Sequence, residues 1–373
     1  MILLFLKAIC QKWTSFVRSF PVKQANAFSV IEWNQDSLLL LDQTRLPSEE
    51  VYLRITSVSE LVAAIQSLAV RGAPLLGVAG AYGCVLAALE SMKLAESERK
   101  AHFAKRLDEL EVSRPTAVNL KWAIDRQRKV YEKNQSDFST LFEALRMEAK
   151  KIHLEDREAN LKISQHGAEA LREGAVLTIC NSGSLATGGM GTAFGVLSHA
   201  FDLKKIQHVY ACETRPLLQG LRLTAWELGK KEIPFSVICD SMAAVVLRDK
   251  KISAVVVGAD RIAANGDAAN KIGTYQLAIL AKHFEVPFIV AAPTSTFDLS
   301  IKEGKDIPIE ERNKNEILSV LGNNQPVRSF DVFNPAFDVT PHSLISMLVC
   351  EAGIIENPDE NKMKRFFAES EWN

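Results

Sequence analysis

Cysteine is scarce and scattered. Six residues, Cys10, Cys84, Cys180, Cys212, Cys239 and Cys350, lie far apart in a chain of 373, with no C-x-x-C pair. That spacing excludes a disulfide scaffold, a zinc ribbon or a thioredoxin-type centre, and it points to a reducing compartment. An excess of one charge is also lacking. Forty-four Lys and Arg against 45 Asp and Glu leave a formal net charge of -1. A dedicated nucleic-acid binder usually shows a basic excess, and an acidic tail protein the reverse. Collagen, coiled-coil, knottin and membrane-bundle architectures are excluded. What is present is the mixture of a globular chain with a full core, 47% hydrophobic and 24% charged. At roughly 150 residues per domain, this length predicts two domains.

The beginning of the chain stands apart. Residues 2–6 form an apolar run cut by Lys7, too short for a spanning helix of about 20 residues. Phe5, Ile9, Trp13, Phe16 and Phe20 recur at helical spacing, and Lys7, Lys12, Arg18 and Lys23 precede the first acid, Glu32. Residues 1–27 read either as an amphipathic membrane-surface or transit segment, or as an extension outside the fold. The second reading is preferred, because domain patterning begins only at Phe28.

The rest divides into two unlike parts. In 28–150, short strand-like runs (Ser29 to Trp33, Leu38 to Leu41) give way to helical patterns. One helix is expected from a Ser59 cap, with Leu61, Ile65 and Leu68 on one face. Others are expected from Pro74, over 96–111 and 118–133, and over 136–167 as a connector. In 151–365, β-type runs at 176–179, 209–211, 235–238, 254–257 and 287–292 alternate with helices. Such a rhythm implies an α/β fold with a parallel sheet covered on both faces.

Sheets of this kind bind ligands at the carboxyl ends of their strands. Those ends read Cys180-Asn181, Cys212-Glu213, Cys239-Asp240, Gly258-Ala-Asp260 and Pro293-Thr294, a set holding three thiols and three carboxylates. Asp240 before Ser241 also suits a helix cap. Cys180 precedes Gly183 and an expected helix N-terminus, a setting that favours thiolate. The Gly-rich loop 183–191 misses the dinucleotide fingerprint on spacing and lacks the P-loop Lys. Its amides remain candidates for a sugar phosphate, or simply for close strand–helix packing.

A series of motifs follows in order along the chain. Arg71-Gly-Ala-Pro74, Arg114-Pro-Thr-Ala-Val-Asn119, Cys180-Asn-Ser-Gly183 and Glu213-Thr-Arg-Pro-Leu-Leu-Gln-Gly220 come first. Asp240-Ser-Met-Ala-Ala244, Gly258-Ala-Asp-Arg261, Asn270-Lys-Ile-Gly-Thr274 and Asn334-Pro-Ala-Phe-Asp-Val-Thr-Pro341 complete it. Together they closely resemble the methylthioribose-1-phosphate isomerases, over roughly residues 28–355. Ser182, Ser184 and Ala268 depart from commoner Thr, Ala and Val, and none removes a reacting group.

The resemblance implies a Rossmann-like parallel-sheet C-terminal domain and a smaller mixed β/helical N-terminal domain in a cytoplasmic homodimer. It implies conversion of 5-methylthioribose 1-phosphate to 5-methylthioribulose 1-phosphate in methionine salvage, without cofactor or metal. No nucleic-acid partner and no stable membrane association are expected. By motif, Cys180 and Asp260 are the catalytic pair, and Arg71, Gly72, Ala73, Arg114, Gln219, Asn270 and Lys271 bind substrate. Two alternatives share the superfamily. Ribose-1,5-bisphosphate isomerase needs a second phosphate clamp. The regulatory, non-catalytic subunit of the translation-initiation nucleotide-exchange complex lacks the paired thiol and Asp. The Glu32-Trp33, Asp42-Gln43 and Leu46-Pro47 segments favour the methylthio-sugar enzyme.

Overall fold

The computed structural model describes residues 28–114, 118–135, 137–322 and 330–369. The segment 1–27, with Cys10 and both readings given to it, lies outside these residues, as do positions 115–117 of the Arg114 motif.

Three antiparallel strands open the fold: β1 (Ile31–Asn34), β2 (Ser37–Leu41) and β3 (Tyr52–Ile55). Five helices follow: α1 (Val58–Gln66), α2 (Ala73–Met92), α3 (Glu96–Val112), α4 (Val118–Asn134) and α5 (Phe138–Ala170). Their apolar faces close on the small sheet in one core that includes Leu38, Leu40, Leu61, Leu75, Leu120 and Leu145. The cap of α1 is Ser57, not the expected Ser59: its hydroxyl accepts from Glu60 N at 3.2 Å, a contact worth about 1 kcal/mol. Leu68 lies beyond the helix at φ +62°. Helix α2 is long and apolar enough to cross a membrane, but 83% of its apolar window is buried inside the protein. It is the central helix of this core.

Helix α5 runs from this core into the next. Ala149 and Ile152 pack in the first, whereas Ile163 and Ala168 pack beneath the large sheet. The expected boundary between residues 150 and 151 therefore falls inside one continuous helix.

The second part contains β4 (Gly174–Thr178), α6 (Ala193–Asp202), β5 (Ile206–Cys212), α7 (Ala225–Lys230) and β6 (Phe235–Ile238). Next come α8 (Ala243–Asp249), β7 (Ile252–Val257), β8 (Arg261–Ala263), β9 (Ala268–Lys271), α9 (Thr274–His283) and β10 (Phe288–Ala291). The described chain ends with β11 (Phe297–Asp298), α10 (Asn315–Leu318), β12 (Phe337–Thr340), β13 (Met347–Cys350), β14 (Gly353–Glu356) and α11 (Glu360–Glu369).

All five expected strands are present, in a seven-stranded sheet of order β14-β13-β10-β7-β4-β5-β6. Every pairing in it is parallel except β13–β14. Alternate residues of β7 serve two cores, Val255 and Val257 on one face and Ala254 and Val256 on the other. Burial on both faces explains why these strands read as continuous Val and Ile runs. The chain builds β4, β5 and β6 outward in one direction, then returns to lay β7, β10 and β13 on the other side. The order reverses between β4 and β7, which opens a crevice at their carboxyl ends. A second sheet, β11-β8-β9-β12, was not foreseen, because its strands of two to four residues are too short to show alternation.

Candidate active site

All nine residues singled out from the motifs line one cavity at this crevice: Arg71, Gly72, Ala73, Arg114, Cys180, Gln219, Asp260, Asn270 and Lys271. Cys180 follows β4 and Asp260 follows β7, one on each side of the reversal. Arg71, Gly72 and Ala73 arrive from the helical part at the start of α2. Gly72 has φ +102°, and a Cβ there would meet the Ala186 backbone at 2.5 Å. Only glycine allows the two parts to approach so closely at this point.

Cys180 sits in the left-handed region at φ +67°, a conformation that costs a non-glycine residue roughly 1–3 kcal/mol and persists only when its surroundings enforce it. They do so from both sides of the peptide. Cys180 N donates to Thr214 Oγ1 at 2.8 Å, and Cys180 O accepts from Thr224 Oγ1 at 2.6 Å. The expected α-helix N-terminus is not beside it, since only the 3-10 turn Ser184–Ala186 follows and α6 begins at Ala193. Positive charge reaches the sulfur instead from Arg71, whose Nη2 lies 3.7 Å from Sγ. The thiols of Cys84, Cys212 and Cys350 behave as core hydrophobes, whereas Cys239 is exposed. Burial pushes those of Cys84 and Cys350 up to about 12 and raises that of Cys212 as well.

Asp260 retains some exposure through the cavity, yet protein encloses its carboxyl. Desolvation raises its pKa, and the charges of Lys271, Arg114 and Arg71 oppose that shift. The hairpin β8–β9 turns back so that Asp260 N bonds Ala269 O at 2.9 Å and Lys271 returns to the cavity. Burial lowers the Lys271 pKa, against the pull of Cys180 and Asp260. Its Nζ donates to Ala336 O at 3.0 Å and stands 4.3 Å over the Phe337 ring. Arg71, Arg114, Arg261, Lys271 and Arg312 line the cavity with one carboxylate, Asp260, among the described residues. Arg261 and Arg312 are paired to acids outside the lining, at 3.4 Å to Asp298 and 2.6 Å to Glu316. The surplus cationic character suits a phosphorylated ligand. Buried Gln219 presents an Oε1 with no hydrogen-bond partner among the described residues, an acceptor that a ligand hydroxyl would satisfy.

Several expectations on the strand ends are corrected. Asp240 does not cap its own turn. Its carboxylate accepts from Thr214 N at 2.8 Å and Arg215 N at 2.7 Å, so it holds the loop that carries Gln219. Glu213 and Asp240 are absent from the cavity lining. The amides just after Gly183 hold an internal carboxylate instead of an open anion site: Leu185 N donates to Glu227 Oε1 at 3.3 Å. A Cβ on Gly183 would lie 2.1 Å from Glu227 Oε2. The far end of the loop is fastened to α5, where Gly188 N meets Asp156 Oδ2 at 2.6 Å and Gly191 N meets Asn160 Oδ1 at 2.7 Å. Sequence reasoning missed Glu227, Asp156 and Asn160. The available signal was a polar residue on the apolar face of a helix.

Comparison with known proteins identifies the family. The Initiation factor 2 subunit family model matches residues 69–357. Methylthioribose-1-phosphate isomerase from Caldicellulosiruptor saccharolyticus is 47% identical over 336 residues, 90% of this chain and 98% of that protein. The crystal structure of 5-methylthioribose 1-phosphate isomerase from Pyrococcus horikoshii OT3 superposes with a TM-score of 0.87 at 39% identity, covering 94% of this chain and 99% of that one. A structure described as translation initiation factor eIF-2B, subunit delta, from A. fulgidus gives 0.81 at 42% identity, over 92% and 100% of the two chains. This chain belongs to the Initiation factor 2 subunit family and, within it, to the methylthioribose-1-phosphate isomerases.

Proposed function

We infer that the chain converts 5-methylthio-D-ribose 1-phosphate to 5-methylthio-D-ribulose 1-phosphate, an aldose–ketose isomerisation in methionine salvage. The observation that carries this reading is the meeting of a thiol, a desolvated carboxyl and surplus cations in one cavity. A non-catalytic subunit has no need of that combination.

The substrate sets the chemical problem. Phosphate on O1 blocks opening to a free aldehyde, so enolisation has no carbonyl to start from. An acid must protonate the ring oxygen while C1 stays phosphorylated. Asp260 is suited to this role, because burial favours its neutral form. Cys180 then takes the C2 proton as thiolate, or steadies the transition state as thiol. Arg71, Arg114 and Lys271 oppose the phosphate charge, and the first amides of α2, at Gly72 and Ala73, line the same cavity as further donors. Gln219 and Asn270 bind the sugar hydroxyls. The same reading takes residues 151–365 as a Rossmann-like catalytic domain beside 28–150, in a cytoplasmic homodimer without cofactor.

Purified protein given 5-methylthioribose 1-phosphate should form the ketose, identified by NMR, and should turn over ribose 1,5-bisphosphate poorly. Preference for the bisphosphate would transfer the chain to that activity. Inertness towards both would leave the non-catalytic reading.

A further inference from the structure

We propose that Glu227 is a positioning residue of this site: through Asn181 it holds the Arg71 guanidinium against the Cys180 sulfur. The consequence for turnover rests on Cys180 being catalytic, whereas the geometric claim does not.

Glu227 lies on α7, is 1% exposed and is absent from the cavity lining. Its Oε2 accepts from Asn181 Nδ2 at 2.5 Å. Above about pH 7 Glu227 is a carboxylate and only accepts, so Asn181 must turn its NH2 inward. Thr224 Oγ1, 3.3 Å away, accepts there too, because its own proton goes to Cys180 O. Asn181 Oδ1 therefore faces outward and receives Arg71 Nη1 at 2.7 Å. A guanidinium only donates. The amide is held between an acceptor-only group and a donor-only group, and one orientation satisfies both. With Nη1 fixed in this way, and with Nη1 and Nη2 also donating to Asn181 O at 3.3 and 3.4 Å, the rigid fork of Arg71 places Nη2 3.7 Å from Cys180 Sγ.

Glu227→Gln reverses the polarity of the chain. The backbone amides of Ser184 and Leu185 are fixed donors to Glu227, so they retain the oxygen of the new side chain. Its NH2 then meets Asn181. Asn181 must turn to accept, and it presents its own NH2 to Arg71. Donor meets donor, the 2.7 Å contact is lost, and the longer contacts to Asn181 O alone hold the guanidinium less firmly beside the sulfur.

The test is alkylation of Cys180 by iodoacetamide without substrate, followed on its peptide by mass spectrometry. Cationic neighbours promote attack by sulfur, so at a pH above about 7, where Glu227 is ionised, loosening the Arg71 guanidinium should make E227Q react about threefold or more slowly than wild type. In an Arg71→Ala background, E227Q should cause no further slowing, because both changes break one chain. Mere loosening of the site would speed alkylation. An unchanged or faster rate, or equal slowing in the Arg71→Ala background, overturns the proposal. Should E227Q fail to fold, Asn181→Ala cuts the chain one link nearer Arg71 and is judged in the same way. Slower alkylation with full turnover would keep the relay and remove Cys180 from the chemistry.

Discussion

Arg71 Nη2 stands 3.7 Å from Cys180 Sγ, although 109 positions separate the two residues. Arg71 belongs to the helical part of the chain and Cys180 to the rim of the large sheet, so docking of the two parts assembles the site. A change at their contact should therefore act on chemistry as well as on stability.

Cys180→Ala and Asp260→Asn should each lower kcat by on the order of 10²-fold or more, the usual scale for acid–base groups. Circular dichroism and Tm should change little. Desolvation holds Asp260 neutral above the ordinary carboxylate range, so wild-type kcat should fall on the alkaline side as this acid ionises. Near-normal turnover in either variant removes that residue from the reaction.

On the proposed function, phosphate recognition is divided among Arg71, Arg114 and Lys271. Truncating any one to Ala should raise KM by roughly one to two decades, the loss of a charge-assisted contact of about 1.5–3 kcal/mol. Inorganic phosphate should compete with substrate in the wild type. Three variants with unchanged KM and phosphate inhibition would place the phosphate elsewhere.

Glu227 links the site to the pH dependence of stability. Burial pushes its carboxyl from 4.5 up to about 7, against the hydrogen bonds from Asn181, Leu185 and Ser184. Its folded pKa lies above the unfolded one, so the folded state binds the extra proton. This contribution is complete at low pH and is lost as pH rises through about 7. The loss amounts to about 3 kcal/mol. Glu227→Gln has no such proton, so its Tm should decline less than that of the wild type between acid and mildly alkaline pH. Parallel Tm curves would contradict this.

The migrating hydrogen offers a further check. On the proposed mechanism, once Asp260 has opened the ring, either Cys180 removes the C2 proton and C1 is reprotonated, or hydride passes directly from C2 to C1. A proton on a thiol usually exchanges with water unless the site is dry. The desolvation around Asp260 favours a dry site, so a single turnover in deuterium oxide should leave little label at C1. Substantial incorporation would instead make Cys180 the base.

Much of this was legible in advance. The Val and Ile runs marked five strands of the large sheet, and the ordered motifs named nine residues that share one cavity. Both signals are local, carried by side-chain type within a few neighbouring positions. The cap of α1 was misplaced by two residues, since Ser57 and Ser59 are equivalent candidates until the backbone turns. Asp240 was misread for a related reason: its partners, Thr214 and Arg215, belong to a neighbouring strand's loop.

The sequence by itself determined the longer helices and the core strands of the large sheet, and which side chains are candidates for chemistry, because periodicity and residue type act over short stretches. Only the tertiary structure decided that β4 lies beside β7, which sets Cys180 and Asp260 on either side of one crevice. It alone folded β8 and β9 back to return Lys271 to the cavity, and placed Glu227 beneath Asn181. Parallel pairing and buried polar contacts join residues far apart in the chain. Their partners are selected by packing and by hydrogen-bond satisfaction in the assembled core.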